Sequence, residues 1–173
     1  MINPNYYLYI QTQSYKDLNL DPIIVHGDIS GGNLMFSNVD ENEIIAIIDW
    51  QLMHEGSPME DLAQLLVHLC DGSTRRKIEE FIFEFYLKCL KKEFGNTKIP
   101  YTLNSIKQSY NYCFITQTFF VLMGILQKKI EDGNDEIAKA FYDSEVLKCL
   151  HALEDADRIL QGELKEFYEK YNY

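Results

Sequence analysis

The sequence predicts an α+β fold that is mainly α. Its first third contains three short, apolar, β-prone runs, at 23–25, 34–37 and 44–48, and such runs favour strands. From Ser57 onward, apolar residues recur at helical spacing instead. We therefore expect a small β-rich segment that is followed by a helical bundle.

The composition indicates one globular domain, 1–173. The chain has 173 residues, of which 46% are hydrophobic, and this is enough to bury a core. A formal net charge of -11 argues against nucleic acid and anionic membranes as partners, because both attract Lys and Arg. The first residues lack the basic and apolar regions of a signal peptide. We therefore expect a cytoplasmic protein.

The N-terminal third predicts a loop and a hairpin. Residues 1–20 are polar and rich in tyrosine, and their pattern indicates only the end of a helix and a loop. The run 23–25 predicts a first strand. The segment 37–43, Ser-Asn-Val-Asp-Glu-Asn-Glu, has the Asn and Asp content of a turn. The runs 34–37 and 44–48 on either side of it therefore predict a β-hairpin.

A capping box predicts the start of the first long helix, at 58–70. Ser57 would be its N-cap, Pro58 its first helical residue, and Glu60 the side chain that reaches back to close the box. Later apolar periodicity predicts three more helices, at 74–94, at 103–131 and from 136 to the tail. The helix at 103–131 is apolar on several sides, which predicts a central position in the bundle.

The segment 26–33, His-Gly-Asp-Ile-Ser-Gly-Gly-Asn, combines polar side chains with a tight turn between two predicted strands. Asp28 supplies a carboxylate and Asn33 an amide oxygen, and both are suitable ligands for magnesium or partners for a hydroxyl group. Asp49 follows the last predicted strand and adds a second carboxylate. Asp, Asn and a later Asp is the order used for phosphoryl transfer in protein-kinase-like enzymes.

Three motifs in this region agree in order and spacing. They are Val-His-Gly-Asp-Ile-Ser-Gly-Gly-Asn at 25–33, Ile-Ile-Asp-Trp-Gln at 47–51, and Gly-Ser-Pro-Met-Glu-Asp-Leu-Ala-Gln-Leu-Leu at 56–66. Together they resemble the choline-kinase and aminoglycoside-phosphotransferase group, and within it the CHK kinase-like (ecdysteroid kinase-like) proteins. The resemblance implies a protein-kinase-like C-lobe, with a motif core at 23–70 and a helical part at 57–173.

The same resemblance implies an activity and a set of site residues. The activity is ATP- and Mg2+-dependent phosphorylation of a hydroxyl on a small molecule. Asp28 would be the catalytic base, while Asn33 and Asp49 would bind the metal and, through it, the nucleotide. His26 would pack beneath the loop and orient it, and Asp61 would brace the loop through backbone hydrogen bonds.

Each of these residues also has a purely structural interpretation. Asp28 and Asn33 could serve only as turn residues in a Gly-containing loop, and Asp49 could simply initiate a turn. Asp61 could act locally, since the N-terminus of a helix favours any carboxylate.

Two further histidines carry no predicted function. His54 and His68 have no neighbouring metal-ligand cluster in the sequence, which favours ordinary surface or core roles. The aromatic residues of the helix at 103–131 favour core packing over the wall of a substrate pocket.

The resemblance covers only the lower lobe of a kinase-like fold. Only 27 residues precede Asp28, which is too few for an upper lobe of about five strands. The sequence has no G-x-G-x-x-G loop to cover phosphates. We therefore expect the N-lobe to be absent and this chain alone to have little or no turnover, because positioning supplies most of the catalysis in phosphoryl transfer.

Two functions of different classes remain open from the sequence. The chain is either the C-lobe of a small-molecule kinase or a catalytically dead, kinase-derived binding or scaffold protein. In both cases the face left by the missing lobe would expose apolar residues, which predicts self-association through that face.

Overall fold

The computed structural model describes residues 4–127 and 136–171, and it confirms an α+β fold that is mainly α. Two small antiparallel sheets of two strands each precede the main helical part. The strands are β1 (Ile23–Val25), β2 (Leu34–Phe36), β3 (Ile44–Ile47) and β4 (His54–Gly56). The helices are α1 (Pro4–Thr12), α2 (Ser14–Asp17), α3 (Glu60–Leu69), α4 (Gly72–Glu79), α5 (Ile82–Phe94), α6 (Leu103–Gln127), α7 (Glu136–Gln161) and α8 (Lys165–Tyr171).

The predicted hairpin is confirmed. β2 pairs with β3, Leu34 lies opposite Ile47, and the register shifts between Met35 and Phe36. In the turn, the Asp40 side chain accepts a hydrogen bond from the backbone N–H of Asn42 at 2.9 Å, as expected for an Asx turn.

The sequence did not predict β4, which pairs with β1. Its register places Ile23 opposite Gly56 and Val25 opposite His54. His-Glu-Gly has no alternation of apolar and polar residues, so its strand conformation depends on pairing with β1. This pairing brings the chain after β1 close to the start of α3, and the candidate site lies there.

The predicted capping box is wrong in detail. α3 begins at Glu60 rather than at residue 58, and the Ser57 hydroxyl accepts a hydrogen bond from the N–H of Met59 at 3.1 Å. The Glu60 carboxylate instead accepts a hydrogen bond from the Gln11 amide at 3.1 Å. The long-range partner replaces the local one because α1, which the sequence indicated only loosely, packs nearby.

Two predicted helices are each divided. The segment 74–94 forms α4 and α5, separated at Glu80 and Phe81, and the segment from 136 to the tail forms α7 and α8. As predicted, Gly95 ends α5, with a φ of 58°. The predicted end of the third helix, at 128–131, lies outside the described residues.

The core is organised around α3 and α6. α6 packs against α1, α3, α5 and α7, which confirms its predicted central position, and its side chains at Tyr110 and Phe114 are buried. Val67 of α3 is buried as well. Within the described residues, no helix is long and apolar enough to cross a membrane.

A buried ion cluster connects α4 to α7. Arg75 is fully buried and pairs with Asp155, and the same carboxylate accepts hydrogen bonds from Arg76 Nε at 2.9 Å and Arg158 Nη2 at 2.5 Å. The guanidinium of Arg75 also lies over the ring of Phe114, 4.8 Å from its centroid. Burial alone would raise the pKa of Asp155, but the hydrogen bonds from Arg76 and Arg75 lower it.

Removal of Asp155 should therefore destabilise the fold strongly. We expect Asp155→Ala to lower the free energy of unfolding by about 3 kcal/mol, because Arg75 would remain buried with only Glu79, 3.5 Å from its Nε, as a counter-charge. The exposed Asp157 on the same helix is the matched control, and Asp157→Ala should cost about 0.5 kcal/mol or less. Urea denaturation measures both values, and equal losses for the two variants would contradict the assignment.

Candidate functional site

The site begins where the chain leaves β1. Gly27 has a φ of 80°, in the region that favours glycine. A Cβ on Gly27 would lie 2.6 Å from the carbonyl oxygen of Leu52, too close for any side chain. This close approach places the loop against the segment between β3 and β4.

The carboxylate of Asp61 holds the start of the loop. It accepts hydrogen bonds from the backbone N–H of His26 at 2.7 Å and of Gly27 at 3.0 Å. Asp61 lies in the first turn of α3, where the helix dipole also favours a negative charge. The loop is therefore tied to the helix that forms the core with α6.

His26 links the loop to the end of the hairpin. It is 1% exposed, its Nδ1 accepts the N–H of Asp28 at 3.2 Å, and its Nε2 lies 2.8 Å from the carbonyl oxygen of Ile48. Because a backbone N–H only donates and a carbonyl only accepts, the ring must carry its hydrogen on Nε2. The ring also contacts Trp50, with 4.6 Å between centroids.

Asp28 and Asn33 are in direct contact. The Asn33 amide nitrogen donates to the carbonyl oxygen of Asp28 at 2.8 Å and lies 3.4 Å from its carboxylate oxygen Oδ2. The amide oxygen of Asn33 is therefore the atom left for another partner. The backbone carbonyl of Asn33 accepts the N–H of Ile48 at 3.0 Å, so the loop and the hairpin are joined a second time.

Asp49 occupies an uncommon backbone conformation. Its φ of 65° and ψ of 56° are left-handed, and its side chain is exposed just before the short 3-10 turn at Trp50–Leu52. Asp tolerates this region better than most residues, but the conformation is still costly and such positions cluster at functional sites. The neighbouring Ile48 is held by both His26 and Asn33, which keeps Asp49 at the same end of the hairpin as the loop.

A cavity of about 390 Å³ opens beside Asp28. Its walls come from α1, the loop, the segment before β4, α3 and α6. The lining residues are Tyr7, Gln11, Gly27, Asp28, Leu52, His54, Glu60, Gln64, His68, Gln117 and Phe120. His54 and His68, for which the sequence favours ordinary surface or core roles, both line this cavity.

Gln64 is a site residue that the sequence analysis missed. Its side-chain oxygen accepts the backbone N–H of Ile29 at 3.0 Å, and the side chain also lines the cavity. It lies three residues after Asp61, so both side chains project from the same face of α3. This spacing from Asp61 was the feature of the sequence that could have identified Gln64 as a site residue.

The comparison with protein families identifies the chain. The model of the DUF1679 family, described as "Uncharacterized oxidoreductase dhs-27", matches residues 9–162. The chain belongs to the DUF1679 family. A curated relative, "Uncharacterized oxidoreductase dhs-27" of Caenorhabditis elegans, is 32% identical over 135 residues, which cover 73% of this chain.

The DUF1679 chain corresponds to a small part of that relative. The matched segment spans 16% of the Caenorhabditis elegans protein, so the relative's printed name describes a much longer molecule. No solved structure is significantly similar to the chain.

Two polar pairs shape the electrostatics of the cavity in this DUF1679 chain. His54 donates from Nδ1 to the Leu52 carbonyl oxygen at 2.9 Å, and its Nε2 lies 3.4 Å from Glu60. Burial alone would lower the pKa of His54, but the Leu52 hydrogen bond and the Glu60 charge outweigh it and raise this pKa. Burial raises the pKa of Glu60. Burial lowers the pKa of His68, which donates to Gln117 at 3.2 Å.

The opposite shifts of the two histidines predict opposite effects of pH on stability. Because the folded pKa of His54 lies above 6.5, its contribution is fully present below pH 6.5 and is lost as the pH rises through the raised value. We therefore expect His54→Gln to lower the melting temperature more at about pH 6 than at about pH 8. Thermal denaturation at both pH values measures the difference.

His68 provides the internal comparison. Its folded pKa lies below 6.5, so its contribution is present at high pH and is lost as the pH falls through the lowered value. His68→Gln should therefore cost more at the higher pH. The same pH dependence in both variants would contradict the two assignments.

Proposed function

We propose that this chain is the C-lobe of a protein-kinase-like phosphotransferase that acts on a hydroxyl group of a small molecule. The observation that carries the proposal is the contact between Asp28 and Asn33 on a braced loop, with Asp49 at the end of the adjoining hairpin. The order and spacing of these residues also resemble the CHK kinase-like proteins. Phosphoryl transfer needs this set of one base and two metal-binding oxygens.

In the proposed reaction, Asp28 acts as the base. Asp28 lines the cavity, where the acceptor would bind. The carboxylate takes the proton of the acceptor hydroxyl, and the hydroxyl oxygen forms a bond to the terminal phosphorus of ATP. The bond from that phosphorus to the bridging oxygen breaks, and its electron pair leaves with ADP.

The donor atoms suit magnesium that arrives with a nucleotide. Asn33 has its amide oxygen available and Asp49 has an exposed carboxylate. Among the described residues, no three His, Cys, Asp or Glu side chains form a metal site by themselves. Mg2+ commonly takes only one or two carboxylates and completes its shell with phosphates and water. When bound, it would offset the negative charge of the transferring phosphoryl group.

The groups that cover the phosphates would come from outside these 173 residues. The hairpin and its surroundings expose many large apolar side chains, as expected of a surface that another lobe covers. They include Ile24, Met35, Phe36, Val39, Ile44, Ile45, Leu52 and Met53. We therefore propose that the chain alone has little or no turnover and that the uncovered hairpin favours self-association.

The same exposed face supports a second candidate, a catalytically dead binding or scaffold protein derived from a kinase. In that case the exposed surface would dock another protein, and the chain would have no catalytic role. The two candidates differ in nucleotide binding, because a scaffold has no need of Asn33 and Asp49 as metal ligands. The word oxidoreductase stands in the family description and in the name of the much longer relative, and the present proposal for this chain does not rest on it.

A nucleotide titration tests the proposal. The chain has one tryptophan, Trp50, next to Asp49 and in contact with His26, so its fluorescence reports on the site. We expect Mg-ADP to change this fluorescence in a saturable manner and Asp49→Asn to weaken binding by about tenfold or more. Asp143→Asn, an exposed carboxylate on α7, is the control and should bind normally.

Two results would count against parts of this proposal. A Trp50 response that is absent, or is unchanged in Asp49→Asn, would favour the scaffold. Turnover of ATP by the purified chain, abolished in Asp28→Ala, would show that no covering lobe is required for activity.

A further inference from the structure

Side chains hold the backbone of the loop around Asp28. Four consecutive N–H groups, at 26–29, each donate to a side chain. Asp61 accepts the first two, His26 accepts the third, and Gln64 accepts the fourth at 3.0 Å. The position of Asp28 therefore depends on Gln64 on one side and on Asp61 on the other.

The orientation of the Gln64 carboxamide is fixed by its partner. A backbone N–H can only donate, so the atom that meets Ile29 must be the carbonyl oxygen of the side chain. The NH2 group is then the remaining polar group of Gln64. Because Gln64 lines the cavity beside Asp28, this NH2 group is available to a molecule in the cavity.

The other polar groups of the cavity wall indicate what the NH2 group of Gln64 could bind. The wall contains no Lys or Arg, and its carboxylates Asp28 and Glu60 accept hydrogen bonds when they are ionised. The amide nitrogen of Gln11 is already engaged by Glu60 at 3.1 Å. The NH2 of Gln64 is therefore a free donor close to Asp28, suited to an oxygen atom of an uncharged or cationic acceptor.

We propose that Gln64 is a positioning residue with two contacts. Its oxygen holds the loop behind Asp28, and its NH2 group donates to an oxygen of the acceptor in the cavity. This inference rests on the proposed phosphotransfer, because only an acceptor beside Asp28 gives the second contact its function.

The loop contact is tested with two variants of the full chain. In Gln64→Met the oxygen is lost, and we expect hydrogen exchange at the Ile29 amide to accelerate about tenfold. In Gln64→Glu a carboxylate oxygen still accepts, so exchange should stay within about twofold of the wild type. Gln161→Met, at the exposed end of α7, is the control and should leave exchange at Ile29 unchanged.

The acceptor contact is tested with glycerol, a small probe with adjacent hydroxyl groups. In the wild type we expect a saturable change in the NMR signal of the Gln64 NH2 group, larger than that of Gln161. In Gln64→Glu, the glycerol response of the Asp28 and Ile29 amides should be reduced, because the donor is gone while the loop contact remains.

Either of two results would overturn the inference. One is unchanged exchange at Ile29 in Gln64→Met, and the other is a Gln64 response to glycerol no larger than that of Gln161. If Mg-ADP still changes the fluorescence of Trp50, such a result rejects the role of Gln64 and leaves the phosphotransfer proposal standing. If Trp50 fails to respond while Gln64 behaves as expected, the phosphotransfer proposal fails instead.

Discussion

The carboxylate of Asp61 is the constraint on which the rest of the site depends. It binds two consecutive backbone N–H groups of the loop, and hydrogen bonds to a charged acceptor are stronger than those between neutral groups. α3, which carries Asp61, packs along α6 in the core. The loop therefore takes its position from the core. The two interpretations of Asp61 are compatible. Its carboxylate lies in the first turn of α3, where it stabilises the start of the helix, and it also accepts the two hydrogen bonds that brace the loop.

The elements that the sequence predicted well are those set by local chemistry. β1 and the β2–β3 hairpin follow short apolar runs and a turn that contains Asn and Asp, and α5 ends at Gly95. β4 was missed because its conformation comes from β1, which lies some thirty residues earlier. The break at Glu80 and Phe81 was missed because neither is a Gly or Pro, the residues that usually end a helix.

In the candidate site, too, the residues close in sequence were predicted and those brought together by tertiary packing were not. Asp28, Asn33 and Asp49 were proposed from one short stretch because loop and hairpin are consecutive in the chain. The cavity wall was not predicted, since its residues come from α1, α3 and α6 and only tertiary packing brings them together. Local sequence patterns do not predict contacts between residues so far apart in the chain. Gln64 is intermediate: its spacing from Asp61 was visible, but its partner Ile29 was not.

The cavity wall includes the beginning of the described chain. Tyr7 contacts the ring of Phe120 from α6, with 5.8 Å between centroids, and Gln11 binds Glu60. A shortened protein that starts at β1 would keep every motif residue and still have a cavity open on one side. The presence of the motif in a fragment or a distant homologue is therefore not evidence of an intact acceptor site, and expression boundaries need to include α1.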